Sequence, residues 1–390
     1  MSTGSRRHPC GRPGAVSCCS MDLPSPLAWL VDEAGASPDP ERFLAELGRR
    51  LLAEGLPLSG GALTLSVPHP IIARRTWLWR AETGAVIEAL AFAATPQSEA
   101  GREWLAGLGP VWDTRIGPAE DNQASDGPLL GWAGVANGEG GSAFGPAAIS
   151  LLREVARFAA APLAALAARE ARAALLEAYL GRRSAARVQA GALARGTGET
   201  IRAALLCADL RDFTALSEAT EPHQMITALD AYFDRVAGAV HAFGGEVLKF
   251  IGDGVLAIFP VTPASGRAIE GDREACEAAL RAVAASRAGM VHLDQVRQAQ
   301  GLAPLPFGAA LHFGEILWGN IGAADRLDFT AIGPAVNLVS RLEGLCKPLG
   351  RTVLISGAVA ANTATPLMPL GEHTLRGIAD PCAIFTLRED

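Results

Sequence analysis

The sequence lacks long apolar segments and clusters of basic residues. No uninterrupted apolar run reaches the ~18 residues of a membrane-spanning helix. No Lys/Arg run stands out in this chain of 390 residues, whose formal net charge is −7. These absences argue against a membrane protein and against nucleic acid as the main partner. We expect a soluble protein with two or three globular domains.

Paired cysteines are also missing. The seven cysteines include no Cys-x-x-Cys pair and no histidine partner at zinc spacing, which predicts reduced thiols and a cytoplasmic location. Residues 1–21 are rich in Gly, Pro, Ser and Arg and have no apolar signal-peptide segment, so Arg6-Arg7 does not indicate export. We predict a disordered tail over 1–21, and Met21 could be the true start.

Residues 22–145 have a composition of their own. They hold six of the seven tryptophans, a helical pattern at 41–54, and strand-like runs at 62–67 and 85–93. The pattern predicts a separate mixed α+β domain, which could be GAF-like. The tryptophans are more simply explained as core residues than as a ligand box, and no cluster in this segment identifies a ligand.

Residues 146–198 are predicted to be a connecting helix followed by a hinge. Apolar residues recur every three or four positions from Ile149 to Leu180, as in a helix–helix seam. Pro162 is expected to kink or divide this helix, and the glycines of 182–198 favour a hinge. The helix either closes the first domain and packs as a connector or, from Ala173 onward, pairs with a second copy as a signalling helix.

The stretch 203–259 organises the second half of the chain. An apolar run ends in Asp209 and is followed by a turn at 210–214 where a phosphate could meet backbone N–H groups. A helix pattern follows, then two apolar runs flanking Gly252-Asp253-Gly254, which is typical of a hairpin. This β-α-β-β order would bring Asp209 and Asp253 to one edge of a sheet, where hard oxygen ligands suit Mg²⁺ or Mn²⁺.

Further elements follow the hairpin. The runs 305–312 and 315–321 predict two strands around a turn, and 327–332 predicts a strand with Thr330 on one face. Pro334 is placed to begin a helix on which Asn337 and Arg341, four residues apart, share a face. By itself such a pair is more simply a solvated helix surface.

Three blocks together resemble the catalytic domain of the class III nucleotidyl cyclases. They are 209–214 (DLRDFT), 249–254 (KFIGDG) and 328–343 (DFTAIGPAVNLVSRLE), in the family's order and with consistent spacing. The resemblance covers about half of the chain. It implies an α+β, ferredoxin-like (palm-type) domain with a βαββαβ core over 199–390. Residues 22–145 then resemble the sensor-like region that precedes the cyclase domain in some bacterial adenylate cyclases.

The resemblance also implies roles for the residues of these blocks. Asp209, Asp253 and the carbonyl of Leu210 would hold two Mg²⁺ or Mn²⁺ ions per active site. The turn amides would cradle the β- and γ-phosphates, and other side chains would read the base, orient the ribose and stabilise the transition state. The residues are Asp212, Phe213 and Thr214 for the phosphates, Lys249 and Thr330 for the base, Asn337 for the ribose and Arg341 for the transition state.

The implied reaction is conversion of ATP to 3′,5′-cyclic AMP and pyrophosphate by a homodimer with shared sites. This dimer favours the paired signalling helix, and the N-terminal domain would regulate the enzyme in response to an unknown small-molecule or protein signal. Thr330, where other members have Asp, resembles the class IIIb branch, some of whose members respond to bicarbonate. The alternatives are a guanylate cyclase or a catalytically silent nucleotide-binding regulator.

The chain departs from the family pattern at the phosphate site. Asp212 stands where glycine is usual, and Gly308 stands where many members have a phosphate-binding arginine. Arg376 matches a basic position near the C-terminus of the family domain and could supply the missing charge.

Overall fold

The computed structural model describes residues 23–92, 100–116, 127–135, 144–261 and 268–388. It divides the chain into two compact units, with the boundary between Ala174 and Leu175. The tail predicted over 1–21 lies outside the described residues. Within the described ranges, no helix combines the length and apolar character needed to cross a membrane.

The first unit is a five-stranded antiparallel sheet with helices. Asp39 caps α2 by accepting a hydrogen bond from the Arg42 N–H at 2.8 Å, and Trp79 and Trp132 are buried against this helix. The strand order is β3-β2-β1-β5-β4. The elements are α1 (Ser25–Asp32), a 3₁₀ turn (Ala34–Ala36), α2 (Pro40–Ala53), β1 (Leu58–Ser66), β2 (Ile72–Arg80), β3 (Val86–Phe92), α3 (Ala100–Ala106), β4 (Val111–Arg115) and β5 (Leu129–Gly134).

Helix α4 (Pro146–Leu180) runs unbroken through Pro162, so the predicted division of this helix is wrong. Pro162 is itself buried, and Ala159 and Leu163 on either side belong to the core of the first unit. This packing holds the turn together despite the backbone hydrogen bond that proline cannot make. The N-terminal part of α4 therefore closes the first unit, whereas Leu175 and Tyr179 near its end are exposed.

The segment predicted as a hinge contains a further helix, α5 (Arg182–Gln189). Its first turn is fixed by the buried Glu246, whose Oε1 accepts hydrogen bonds from the Ser184 N–H (3.0 Å) and the Ser184 hydroxyl (2.8 Å). A carboxylate at a helix N-terminus satisfies donors that have no partner within the helix. The first part of this segment is thus anchored, and the glycines with positive φ, Gly191 and Gly196, follow the helix.

The second unit is an eight-stranded sheet, in the order β12-β13-β11-β9-β6-β8-β7, with β10 paired to β9. The mixed α+β class and the β-α-β-β order expected from the sequence are confirmed. The elements are β6 (Gly198–Leu210), α6 (Phe213–Ala219), α7 (Pro222–Ala242), β7 (Glu246–Ile251), β8 (Gly254–Pro260), α8 (Ala268–Ala299), β9 (Phe307–Gly322), β10 (Leu327–Ile332), α9 (Pro334–Glu343), β11 (Val353–Ser356), α10 (Gly357–Ala360), β12 (Leu367–His373) and β13 (Cys382–Leu387).

Strand β6 is the centre of this sheet, and its side chains alternate between two cores. Leu206 lies in the core covered by α7 and α8, and Leu205 lies in the core covered by α9. Strand β9 pairs with the whole length of β6, from Leu210 opposite Phe307 to Gly198 opposite Gly319. This continuous ladder keeps β9 as one strand, so the two strands predicted within it are a single element.

Candidate active site

Two carboxylates meet where β6 ends. Strand β8 pairs antiparallel with β6, with Ala208 opposite Val255, so the β7–β8 hairpin tip lies at the carboxyl end of β6. Asp253 in that tip accepts a hydrogen bond from the Leu210 N–H at 3.1 Å. The Asp209 side chain lies against Asp253, and its Oδ1 is buried with no hydrogen-bond partner among the described residues.

The charge of this pair is incompletely balanced. Burial, followed by the hydrogen bond to Asp253 and the charge of Asp253, raises the pKa of Asp209 to about 7. Burial also raises the pKa of the neighbouring Glu343. A buried, unpartnered carboxylate oxygen next to a second carboxylate fits a divalent cation, which would neutralise both charges.

The protein ligands for such a cation are few. Within the described ranges, no group of three or more His, Cys, Asp or Glu side chains could hold a metal ion. Mg²⁺ is commonly bound by one or two carboxylates together with water and substrate phosphates. Asp209, Asp253 and the Leu210 carbonyl therefore suit an ion that arrives with a nucleotide better than a closed structural site.

The turn after β6 has an unusual backbone. Asp212 has φ 56° and ψ 29°, the left-handed conformation, and no other non-glycine residue in the described part of the chain has a positive φ. This conformation explains why glycine would be usual here, and Asp tolerates it better than most residues. Phe213 and Thr214 follow as the first residues of α6, and the exposed Asp212 carboxylate pairs with Lys347 at 2.5 Å.

The space beside Gly308 is filled by other side chains. A Cβ on Gly308 would lie 2.6 Å from Glu343 Oε1 and 3.1 Å from Cys346 Cβ. The positive charge of Arg211 lowers the pKa of Glu343, but burial raises that pKa by more. Arg211 also donates a hydrogen bond to the Arg351 carbonyl. Glu343 thus fills the space where a larger side chain at 308 would begin.

The residues expected to read the base lie on β7 and β10. Lys249 Nζ is 2.7 Å from Asp328 Oδ2, and this ion pair joins the two strands. Thr330 is 4% exposed, and its hydroxyl is buried with no hydrogen-bond partner in the part of the chain that the structure describes. A buried hydroxyl without a partner is rare in folded proteins and indicates a place for a ligand or water.

Helix α9 presents Asn337 and Arg341 to solvent. Pro334 occupies the first helical turn, and Val339 and Leu342 are fully buried against the sheet. Asn337 and Arg341 are exposed on the opposite side of the helix, as their four-residue spacing predicts.

The strand register separates Asp209 from Thr330 within one chain. Asp209 lies opposite Gly308 near the start of β9, whereas Thr330 lies opposite Gly319 near its end. Arg376 follows β12, whose last residue pairs with the first residue of β13. Because β13 runs antiparallel to β11, and β11 parallel to β9, this loop lies at the end of the sheet opposite Asp209. Within one chain, Arg376 therefore does not replace an arginine at 308.

Sequence reasoning missed two contacts of this site. It assigned no role to Asp328, although that residue lies two positions before Thr330, on the same face of an extended strand. It also overlooked Lys347. The signal was available in the composition, because only two of the 34 Lys and Arg residues are lysines, Lys249 and Lys347.

Comparison with known proteins agrees with this architecture. Residues 198–380 match the sequence model of the adenylate and guanylate cyclase catalytic domain. The chain is 34% identical over 179 residues to Adenylate cyclase 1 of Rhizobium meliloti, covering 45% of this chain and 26% of that protein. It is 32% identical over 175 residues to Adenylate cyclase of Anabaena cylindrica, covering 44% and 32%. The chain thus spans about a third or less of the length of these relatives.

A solved structure with a similar fold aligns over most of this chain. A bacterial light-regulated adenylyl cyclase aligns over 85% of this chain and 94% of its own, with a TM-score of 0.50 and 17% identity. The adenylyl cyclase CyaB from P. aeruginosa aligns over 48% of this chain and 94% of its own, with a TM-score of 0.43 and 28% identity. Residues 198–380 thus form a domain of the class III adenylate and guanylate cyclase family.

Proposed function

We propose that the protein is an adenylate cyclase that converts ATP to 3′,5′-cyclic AMP and pyrophosphate. The observation that carries the proposal is the Asp209–Asp253 pair, whose buried, unpartnered oxygen lies next to the turn at 210–214. The family match and the relatives named adenylate cyclase support it. Bound at these carboxylates and the Leu210 carbonyl, two Mg²⁺ or Mn²⁺ ions would acidify the ribose 3′-hydroxyl and neutralise triphosphate charge.

The exposed face of α9 would act on the reacting groups. Negative charge grows on the phosphoryl oxygens as the 3′-oxygen attacks the α-phosphorus, so the Arg341 guanidinium is most valuable in that transition state. Asn337, one turn earlier on the same face, would hold the ribose in the orientation for attack.

Lys249 and Thr330 would select adenine. The Lys249 ammonium donates to the unprotonated N1 of adenine, and the Thr330 hydroxyl accepts from the 6-amino group. Guanine presents the opposite pattern, with a donor at N1 and an acceptor at position 6. The Asp328 carboxylate, 2.7 Å from Lys249, would hold the ammonium in place.

A complete site would need two copies of the chain. The register of β9 keeps Asp209 and Thr330 of one chain at opposite ends of the strand. In the proposed homodimer, the carboxylate pair of one subunit faces Lys249, Thr330, Asn337 and Arg341 of the other.

Regulation by the first unit is part of the proposal. Near its C-terminal end, α4 exposes Tyr179 (84%) and Leu175 (44%). Apolar side chains left in water on a long helix support pairing with the same helix of a second copy. The signal is an unidentified small molecule or protein acting on the first unit.

The direct test is an assay of purified protein with ATP or GTP in the presence of Mg²⁺ or Mn²⁺. We expect cyclic AMP from ATP, and loss of product in the isosteric variant Asp209→Asn with unchanged folding. A preference for GTP would favour the guanylate cyclase alternative. Nucleotide binding without turnover would identify a silent regulator instead.

A further inference from the structure

Both lysines of this chain form ion pairs with aspartates. The sequence has 34 Lys and Arg residues but only two lysines, so arginine serves nearly every position that needs a positive charge. Each lysine forms an ion pair with an aspartate at the candidate site, Lys249 with Asp328 and Lys347 with Asp212. Lysine carries a compact, strongly hydrated ammonium on a flexible stem, whereas arginine carries a planar guanidinium. These two positions therefore favour the ammonium of lysine over the guanidinium of arginine.

Lys347 lies directly over the turn after β6. Helix α9 ends at Glu343, and the following loop brings the Lys347 ammonium to 2.5 Å from Asp212 Oδ1. The two side chains remain 68% and 65% exposed. Exposed ion pairs contribute little to stability, so the stability of the fold does not account for this contact. Both groups are accessible to a ligand approaching the turn.

This part of the molecule needs a cation for a triphosphate, and position 308 does not supply one. The space next to Gly308 is filled by Glu343, itself a carboxylate. The Arg211 guanidinium donates to the Arg351 carbonyl and acts electrostatically on Glu343, and its Nε is buried without a hydrogen-bond partner among the described residues. Asp209, Asp253 and Asp212 add negative charge at the same edge of the sheet. Lys347 brings an exposed cation to the turn through its ion pair with Asp212.

We propose that Lys347 binds the terminal phosphates of the nucleotide, and that Asp212 is a positioning residue holding its ammonium beside the turn until the nucleotide arrives. This inference rests on the proposed function. A terminal phosphate carries more charge than a carboxylate and offers three strong acceptor oxygens, so it can take the ammonium from Asp212. Asp212 departs from the family pattern, and this gives the departure a role. Its carboxylate holds the Lys347 ammonium, which takes the place of the arginine missing at position 308.

The scarcity of lysine makes a chemical footprint unusually clear. The full-length protein is treated with an amine-acylating reagent, and acylation of Lys249 and Lys347 is read by peptide mass spectrometry. The ligands are α,β-methylene-ATP, which cannot expel pyrophosphate, and adenosine, each with Mg²⁺. We expect the triphosphate analogue to protect both lysines at least about tenfold, and adenosine to protect Lys249 alone.

Lys249 is proposed to contact the base and Lys347 the terminal phosphates. Comparing the protection of the two lysines therefore distinguishes failure of this inference from failure of the proposed function. Protection of Lys249 without protection of Lys347 would overturn the phosphate role and leave the proposed function standing. No protection of either lysine by the analogue would count against both. Equal protection of Lys347 by adenosine and by the analogue would also overturn the inference, because adenosine has no phosphate.

Steady-state kinetics give an independent readout. Lys347→Gln should raise KM for ATP by roughly 10- to 100-fold with a smaller change in kcat, because a charge-assisted contact to bound substrate is lost. Lys347→Arg should recover part of this loss, and Asp212→Asn should raise KM by a smaller factor. Arg273→Gln, which removes an exposed cation from α8, is the matched control and should behave as wild type. An unchanged KM in Lys347→Gln would refute the inference.

Discussion

At the scale of single residues, His312 makes the stability of the fold depend on pH. Burial lowers its pKa to about 4, and its Nδ1 lies 2.9 Å from the Ser356 hydroxyl. In the unfolded chain a histidine takes up a proton near pH 6.5, so the unfolded state binds more protons between about pH 6.5 and pH 4. Stability is therefore lost as the pH falls through that window, by at most about 3 kcal/mol from this group.

The prediction is tested by urea unfolding at several pH values. His312→Gln keeps a side chain that can hydrogen-bond Ser356 but cannot titrate. The difference in unfolding free energy between wild type and variant should shift in favour of the variant as the pH falls from 7 to 4. Other groups, including Asp209, titrate in both proteins and cancel in this difference. A difference that does not change with pH would contradict the assignment of His312 as a buried neutral group.

Two residues are predicted to decide the product. Lys249→Glu with Thr330→Cys replaces the donor facing adenine N1 and alters the buried hydroxyl facing the 6-amino group. Mismatched buried polar groups can discriminate between substrates by roughly 10⁴-fold. The double variant should lose cyclic AMP synthesis by orders of magnitude, and any gain of cyclic GMP synthesis depends on repacking. Unchanged ATP turnover and preference in a folded double variant would exclude these residues as base readers.

The sequence predicted some side-chain contacts and not others. The approach of Asp209 to Asp253 follows from strand order alone, because the end of one strand and the tip of the next hairpin share a sheet edge. The contacts of Lys249 with Asp328 and of Lys347 with Asp212 join positions 79 and 135 residues apart. No local pattern encodes such a contact, because it depends on the course of a loop and on side-chain reach.

At the scale of elements, the β6–β9 ladder depends on a close backbone contact. A Cβ on Gly319 would lie 2.2 Å from the Thr197 carbonyl oxygen and 2.4 Å from Gly198 Cα, both backbone atoms. Gly319→Ala should therefore push the strands apart and lower the free energy of unfolding by a few kcal/mol.

A matched glycine provides the control. Gly238 lies within α7 with nothing within 4 Å of a Cβ, so Gly238→Ala should stabilise the protein by about 0.5–1 kcal/mol through helix propensity. Thermal or urea unfolding of the two variants measures both effects. If Gly319→Ala were as stable as Gly238→Ala, the close packing of these strands would be refuted.

Element types were largely predictable, and errors occurred where tertiary pairing overrides local signals. Gly314 interrupts the apolar pattern of 305–321 and suggested a turn, yet the 13-residue strand β6 pairs across it and keeps β9 continuous. Pro162 and the glycines of 182–198 suggested breaks in the same way. Core packing around Pro162 keeps α4 continuous. The hydrogen bonds from Ser184 to Glu246 hold the first turn of α5.

At the scale of the whole molecule, the proposed activity needs two copies of the chain. The match to the cyclase catalytic domain lies in the second unit, at residues 198–380, and the first unit is the proposed source of regulation. Asp209 and Thr330 lie at opposite ends of β9, and Asn337 and Arg341 lie on the exposed side of α9. In the proposed homodimer, each chain supplies half of each of two sites, so inactivating variants of the two halves should complement each other.

Mixing Asp209→Ala with Arg341→Ala protein tests whether each active site is shared between two subunits. Each variant alone should be nearly inactive, because one lacks the metal ligand and the other lacks the transition-state guanidinium in both sites of the dimer. After random subunit exchange, half of the dimers would have one intact site, so cyclic AMP synthesis should return to about a quarter of the wild-type rate. No recovery, with mixed dimers demonstrated by native mass spectrometry, would contradict a shared site.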